Sequence, residues 1–204
     1  MNRRHFLLSI ATFLALQNAV GAEMLKGNSA KSGERDRAIW LSANKLKGMR
    51  LAKPAEQIQI IFFVDPNCPA CAELWQWYDT QPPRNIASLW IPVSYMNKSS
   101  ATRSVALLRE ENAYAALVKN YANFDRANRL GGIAPAEGVT LQEQSNIRRN
   151  THYWAQQLFG ATPLMLYRTN GGKFMQVIGL LPEAERNNML QELAPIALDE
   201  YVQK

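Results

Sequence analysis

The sequence has 204 residues, of which 47% are hydrophobic, and it carries a formal net charge of +6. This apolar content is enough for the core of one domain of ordinary size. Lysine and arginine are scattered, and Arg148–Arg149 is the only adjacent basic pair after the N-terminal segment. Nucleic-acid binders cluster basic residues on one element, so we expect no nucleic-acid partner.

Residues 1–22 have the features of an export signal. Arg3–Arg4 gives a positive start, residues 6–19 are mostly apolar, and small residues precede Glu23. The apolar stretch is shorter than the ~20 residues of a membrane-spanning helix. We therefore expect cleavage before Glu23, which removes two arginines and no acidic residue and leaves a net charge of +4. Two adjacent arginines fit both the Sec and the twin-arginine routes.

The first predicted elements form a strand and a helix. Residues 23–57 are mostly polar and are predicted to be a lead-in or linker segment with a helical turn or two. Ile58–Val64 is almost entirely apolar, which is typical of a central strand covered on both faces. Asp65–Pro66–Asn67 ends it, and a helix through Ala72–Tyr78 is expected to stop at Pro82–Pro83.

A second strand and two long helices are predicted next. Ser88–Met96 is a strand candidate in which Pro92 indicates an edge position or a bulge. Ser99–Ser100 is expected to cap a helix from Ala101 to about Asn128, because apolar residues recur at helical spacing. Glycine and proline then interrupt the chain, and Leu141–Phe159 is predicted to be helical.

The C-terminal part reads as a hairpin and a helix. Leu164–Arg168 and Phe174–Ile178 are short strand candidates, and Asn170–Gly171 lies between them as a hairpin signal. A last helix is predicted from Pro182, in its first turn, towards Val202, with a bend at Pro195. The order of elements is βαβ, a helical insertion, then ββα.

Cys68 and Cys71 are the only cysteines, and Pro69 and Ala70 separate them. At the first turn of a helix both sulfurs lie on one face, close enough for a disulfide. With Cys68 at the N-cap, the amides of Ala70 and Cys71 point back at its sulfur and favour the thiolate. Such positions give a pKa of about 3.5 to 7.5, so Cys68 is predicted to be largely ionised at neutral pH.

This asymmetry predicts thiol–disulfide chemistry, in which Cys68 is the nucleophile and Cys71, which should stay protonated, is the resolving thiol. Two other readings remain open. A structural staple closing so short a loop is worth only about 2 kcal/mol. A zinc or copper site needs further ligands, and His152 is the one histidine outside the signal. We expect no metal and no cofactor beyond the redox-active Cys68–Cys71 disulfide.

The chain resembles thioredoxin-fold proteins, and within them the periplasmic thiol:disulfide isomerases of DsbC/DsbG type. The features that carry the resemblance are local motifs spread over about residues 58–200: Phe63 to Cys68, the insertion opening at Lys98 to Thr102, Gly160 to Pro163, and Val177 to Pro182.

The resemblance implies an α/β thioredoxin fold, βαβ then ββα around a central mixed sheet, formed by residues 58–98 and 161–204, with 99–160 as the helical insertion. It implies that Pro163 is cis and packs beside the cysteines, and that Thr162 hydrogen-bonds a bound substrate through its own backbone. Isomerases of this family also carry an N-terminal dimerisation domain, and residues 23–57 are too few to supply it. We therefore expect a monomer.

Several other residues have plainer interpretations. Asp65 either tunes the thiols by its charge or caps the turn at Pro66. Trp75 and Trp77 are expected in the core, and Met165 and Met175 in the core or lining a cleft. His152 is expected to be a surface or partly buried helix residue.

The resemblance implies a periplasmic reductase or isomerase acting on exported proteins that contain cysteines, re-reduced by a membrane electron donor of DsbD type. One rival is a DsbA-like oxidase, because Cys-Pro-X-Cys is compatible with a strongly oxidising couple. The other is a non-enzymatic chaperone or assembly factor of a secretion or conjugation apparatus.

Overall fold

The computed structural model describes residues 33–53, 56–80 and 86–195. The predicted export signal, the Pro82–Pro83 stop and the last part of the predicted C-terminal helix lie outside these ranges. The chain divides into two compact units, Met1–Ala38 and Ile39–Lys204. Of the first unit, residues 33–38 are described and are helical. Across the described ranges, none of the helices combines the length and the apolar character needed to cross a bilayer.

The second unit contains all the strands that the structure describes. Helix α1 (33–43) runs into it from the first unit. The elements that follow are β1 (Met49–Leu51), β2 (Ile60–Val64), α2 (Pro69–Thr80), β3 (Ser88–Pro92), α3 (Ser100–Arg109), α4 (Ala113–Leu117), a π-helical turn (Val118–Ala122), α5 (Leu141–Gln157), β4 (Leu164–Arg168), β5 (Phe174–Ile178) and α6 (Glu183–Glu192).

The five strands form one mixed sheet in the order β1-β3-β2-β4-β5. Strands β2 and β3 are parallel, and the other neighbours are antiparallel. The predicted βαβ and ββα halves of a thioredoxin fold are therefore confirmed, and helices α3, α4 and α5 all lie between them in the sequence.

Strand β2 is buried on both sides, as its sequence predicts. Phe62 packs with the tryptophans of α2 and with Trp90, on one face of the sheet. Phe63 packs on the opposite face, with Trp40 of α1 and Trp154 of α5. The alternation of β2 side chains thus joins two hydrophobic clusters, and the carboxyl end of the strand is fixed from both faces.

Strand β1 was not predicted. It lies within residues 23–57, which the sequence indicates to be a lead-in segment, and pairs antiparallel with β3 from Met49 opposite Trp90. Three residues are too few to show a strand period, so only the pairing with β3 defines it. Strand β3 is consequently an interior strand and not the edge strand that Pro92 indicated. Pro92 itself lies beyond the residues of β3 that pair with β1.

The predicted continuous helix over 101–128 is wrong. Helix α3 ends at Arg109, and α4 is a separate helix. Asn112 caps the start of α4, where its side chain accepts a hydrogen bond from the Ala115 amide (3.0 Å). Asparagine favours such caps over helix interiors, because its side chain competes for backbone amides. Ser99 precedes α3 without a side-chain cap, so the expected cap is also wrong.

The two other predicted helices end early. Helix α5 stops at Gln157, and its start is fixed by a capping box between Thr140 and Glu143. Pro182 is the N-cap of α6 rather than part of its first turn. Helix α6 ends at Glu192, before Pro195, so the predicted bend at Pro195 is wrong. After the helix, the chain forms a bridge with the hairpin.

Replacing Phe62 by alanine is expected to lower the free energy of unfolding by about 3 to 5 kcal/mol, because it empties a fully buried site between the rings of Tyr78 and Trp90. Urea denaturation followed by tryptophan fluorescence measures the change. Leu141→Ala is the control, since Leu141 is 83% exposed and its loss should change stability by less than about 0.5 kcal/mol. Equal losses in the two variants would contradict this description of the core.

Candidate active site

The two cysteines lie at the start of α2, directly after the carboxyl end of β2. The Cys68 amide donates to the Asp65 carbonyl (3.0 Å), which closes the turn between strand and helix. The Cys68 carbonyl accepts from the amides of Cys71 (3.1 Å) and Ala72 (3.2 Å). Helix α2 begins at Pro69, so Cys68 is the N-cap residue that the sequence predicts. Both cysteines are free thiols.

The pKa of Cys68 is lowered from 9.0 to about 7. The largest cause is a hydrogen bond from the Cys71 thiol, and burial of the sulfur acts in the opposite direction. The Thr162 side chain and the amides of Cys71 and Ala70 also lower it. The predicted direction is correct, but with this pKa the thiol is about half ionised at pH 7 rather than largely ionised. The neighbouring thiol contributes more than the helix amides.

Cys71 has the opposite behaviour. Its side chain is fully buried, and burial raises the pKa of this thiol well above 9.0. The hydrogen bond to Cys68 and the charge on the Cys68 sulfur raise it further. Cys71 therefore keeps its proton while Cys68 is ionised, which is the asymmetry that a nucleophile and a resolving thiol need.

The peptide bond between Thr162 and Pro163 is cis, as the resemblance implies. Pro163 is buried, and the Cys68 thiol donates to the Thr162 carbonyl oxygen at 3.6 Å. The loop that comes before β4 is thus brought against the Cys68 sulfur from 94 residues away along the chain.

Asp65 is fully buried and accepts four hydrogen bonds. Its Oδ1 accepts from the Asn67 amide and the Ser100 hydroxyl, both at 2.8 Å. Its Oδ2 accepts from the amides of Tyr95 (2.8 Å) and Met96 (3.0 Å). The bond to Asn67 confirms that Asp65 caps the turn at Pro66. The other three join this turn to the segment after β3 and to the start of α3, which the sequence did not predict.

The Asn67 side chain extends the same network. Its Nδ2 donates to Asn97 Oδ1 (2.8 Å) and Ser100 Oγ (3.0 Å), and its Oδ1 accepts from the Gly131 amide (3.0 Å). Gly131 has to be glycine, because a β-carbon there would lie 2.5 Å from the Pro66 carbonyl oxygen. Sequence reasoning missed Asn67, Ser100 and Gly131 as site residues. Their only sequence signal is a pair of serines at the start of the insertion and a pair of glycines within it.

The other residues singled out in the sequence either are part of the hydrophobic core or lie at exposed positions. Trp75 and Trp77 are buried in the cluster behind α2, as expected. Met165 is fully buried, whereas Met175 is 40% exposed on β5. His152 is on the exposed side of α5. Within the described residues, no group of three or more His, Cys, Asp or Glu side chains is arranged to hold a metal ion.

Neither a protein-family model nor a curated protein matches the chain. Several solved structures share its fold. Proteus mirabilis ScsC in a compact conformation has a TM-score of 0.55 at 14% identity, over 93% of this chain and 96% of that one. A linker-deletion mutant of the same protein has a TM-score of 0.52 at 17% identity, covering 87% and 92%. Pseudomonas aeruginosa DsbA2 has a TM-score of 0.51 at 16% identity, covering 71% and 92%. The chain therefore has a thioredoxin-like fold.

Replacing Cys71 by alanine should raise the pKa of Cys68 by about 1 to 2, because it removes the donor that contributes most to the thiolate. Thiolate absorbance at 240 nm as a function of pH measures it, since Cys68 is then the only thiol. Cys71→Ser is the matched control: its hydroxyl can still donate, so the rise should be smaller. An unchanged pKa in the alanine variant would assign the stabilisation to the helix amides instead.

Replacing Asp65 by asparagine is expected to lower the free energy of unfolding by about 3 kcal/mol or more, because an amide group then faces donors that need an acceptor. Asp79→Asn is the control, since Asp79 Oδ1 accepts from the Tyr114 hydroxyl at a partly exposed position. That variant should lose only about 1 kcal/mol. Urea denaturation compares the two, and similar losses would contradict the central role of Asp65.

Proposed function

We propose that the protein is a periplasmic thiol:disulfide oxidoreductase of DsbC/DsbG type, acting as a reductase or isomerase on exported proteins that contain cysteines. The observation that carries the proposal is the opposite displacement of two pKa values at one helix start, where Cys68 is about 7 and Cys71 is well above 9.0. A staple or an inert buried pair has no need of this difference.

In the proposed reaction, the Cys68 thiolate attacks one sulfur of a substrate disulfide. A mixed disulfide forms, and the other substrate sulfur leaves as a thiolate. Cys71 then attacks the Cys68 sulfur, its proton passes to the departing substrate sulfur, and the Cys68–Cys71 disulfide remains. Two electrons and one proton have moved to the substrate, and the substrate sulfur that left first as a thiolate takes its proton from solvent. For isomerisation, a second substrate thiol resolves the mixed disulfide and Cys68 leaves as a thiolate.

The cis-proline loop supplies the proposed substrate contact. Thr162 lies against Cys68, with its carbonyl oxygen 3.6 Å from the sulfur. A substrate strand that places its cysteine at Cys68 would therefore run beside the Thr162 backbone and can bond to it, which would orient the disulfide for attack. Pro69 and Ala70 form the outer surface of the motif, where both are half-buried.

The pKa of Cys68 supports the proposed direction of electron flow. A pKa of about 7 is close to the ~7 of thioredoxin and far from the ~3.5 of DsbA. DsbA is a strong oxidant because its reduced form is stabilised. A less stabilised thiolate favours a weaker oxidant, which supports reduction or isomerisation. Such a cycle needs a reductant, for which we propose a membrane donor of DsbD type, and we propose that the protein works as a monomer. Export by cleavage of residues 1–22 is part of the same proposal.

The alternative is a DsbA-like oxidase. The fold shared with Pseudomonas aeruginosa DsbA2 is compatible with this function. Both proposals use the same two sulfurs. They differ in the reduction potential of the cysteine pair and in whether the pair is reduced or oxidised in cells.

Trapping tests the reaction. In cells that export the Cys71→Ala variant, Cys68 should accumulate mixed disulfides with exported proteins, because the resolving thiol is missing; non-reducing gels and mass spectrometry identify them. The double variant Cys68→Ala/Cys71→Ala is the control and should trap nothing. If no mixed disulfide through Cys68 is found, the proposed enzymatic function is wrong. A reduction potential between about −270 and −180 mV is expected, whereas one near −120 mV would favour the oxidase.

A further inference from the structure

Tyr95 connects the Asp65 network to the cis-proline loop. It lies between β3 and α3, where its amide donates to Asp65 Oδ2 (2.8 Å). Its hydroxyl oxygen is 2.9 Å from Thr162 Oγ1. One residue thus contacts both the buried carboxylate that ends β2 and the loop that touches the Cys68 sulfur. Tyr95 has no role in the proposed reaction.

The position of the Tyr95 ring is fixed by Trp154. The two ring centroids are 4.8 Å apart, with an angle of 36° between the planes. The Trp154 indole nitrogen in turn donates to the Ala161 carbonyl at 2.7 Å. Two aromatic side chains therefore hold two consecutive residues of the cis-proline loop. This fixes the Tyr95 hydroxyl beside Thr162 even though Tyr95 is 45% exposed.

The hydrogen bond between the two hydroxyl oxygens uses one hydrogen, which comes either from Tyr95 or from Thr162. Which residue donates decides whether the Thr162 hydrogen is free for another acceptor. A thiolate accepts hydrogen bonds and cannot donate, and the Thr162 hydroxyl has a single hydrogen. Burial raises the pKa of Tyr95 above 10.0, so the phenol is protonated at neutral pH. A phenol is a stronger acid than an aliphatic alcohol and therefore the better donor. If Tyr95 donates to Thr162, the Thr162 hydrogen remains free for the sulfur, and the two bonds strengthen each other.

We propose that Tyr95 is a positioning residue, whose hydroxyl donates to Thr162 Oγ1 and directs the Thr162 hydroxyl hydrogen to the Cys68 thiolate. The proposal rests on the proposed function in so far as Cys68 is the nucleophile. It agrees with the contribution of the Thr162 side chain to lowering the Cys68 pKa. It also gives the residue before the cis-proline a second contact with the sulfur, besides its carbonyl oxygen.

The other titratable groups around this relay are not substituted in the Tyr95 variant below. Cys71 faces Cys68 from α2, and Asp65 lies at the end of β2. Tyr121 donates to the Asp65 carbonyl from the π-helical turn, and burial raises its pKa well above 10.0, so it does not ionise in the range where Cys68 does. A change in the titration of Cys68 in a Tyr95 variant therefore reports on the relay.

The test is the pH dependence of Cys68 alkylation by iodoacetamide in the fully reduced protein, with the modified residue identified by mass spectrometry. Tyr95→Phe keeps the ring on Trp154 and removes only the hydroxyl. It should raise the Cys68 pKa by about 0.5 and lower the alkylation rate at pH 7 about twofold, with the plateau at high pH unchanged. Tyr153→Phe is the matched control, since its hydroxyl donates to the Ile39 carbonyl, and it should leave the profile unchanged.

Thr162 variants fix the direction of the hydrogen. Thr162→Ser keeps the relay and should leave the pKa within about 0.3 of wild type, whereas Thr162→Val should raise it by about 1. Adding Tyr95→Phe to Thr162→Val should then change nothing further, because the relay is already broken. An unchanged or lowered pKa in Tyr95→Phe would overturn the proposal, since Thr162 would then donate to Tyr95. These profiles need no substrate, so they stand or fall separately from the trapping result.

Discussion

The structure around the cysteines depends on one buried carboxylate. Asp65 ends the central strand and accepts four hydrogen bonds, from its own turn, from the segment after β3 and from the start of α3. Each donor is a group that would be costly to bury without an acceptor. The carboxylate therefore holds three parts of the chain together at the turn that precedes Cys68. The geometry of the sulfurs follows from that arrangement.

The reactivity of the pair results from a competition between burial and hydrogen bonding. Burial disfavours both thiolates, and for Cys71 it dominates because the sulfur is fully buried. Cys68 lies at the helix start, where a thiol, a hydroxyl and two amides surround its sulfur, and these together outweigh the cost of burial. Two identical side chains three positions apart thus differ in ionisation: near pH 7 the Cys68 thiol is about half ionised, whereas the Cys71 thiol keeps its proton.

The helical insertion contributes to the site as well as to the bulk of the domain. Ser100 at its start bonds Asp65, Gly131 within it donates to Asn67, and Trp154 near its end holds the loop before the cis-proline. These contacts surround the turn between β2 and α2 on several sides. The insertion therefore stabilises the position of Cys68 relative to Thr162.

Short-range features of the sequence were enough to predict several secondary-structure elements of this protein and the helix start that carries its cysteines. The apolar run of β2, the Asn-Gly hairpin and the Cys-Pro-Ala-Cys helix start are short-range signals, so their elements and the opposite directions of the two thiol pKa shifts were predictable. The break at Asn112, the three-residue strand β1 and the partners of Asp65 were not. Each depends on residues distant in the sequence: Met49 becomes a strand residue only because Trp90 pairs with it, and Tyr95 reaches Thr162 only because Asp65 holds its amide. Only tertiary structure brings such groups together, because hydrogen bonds between distant segments leave no periodic trace in the sequence.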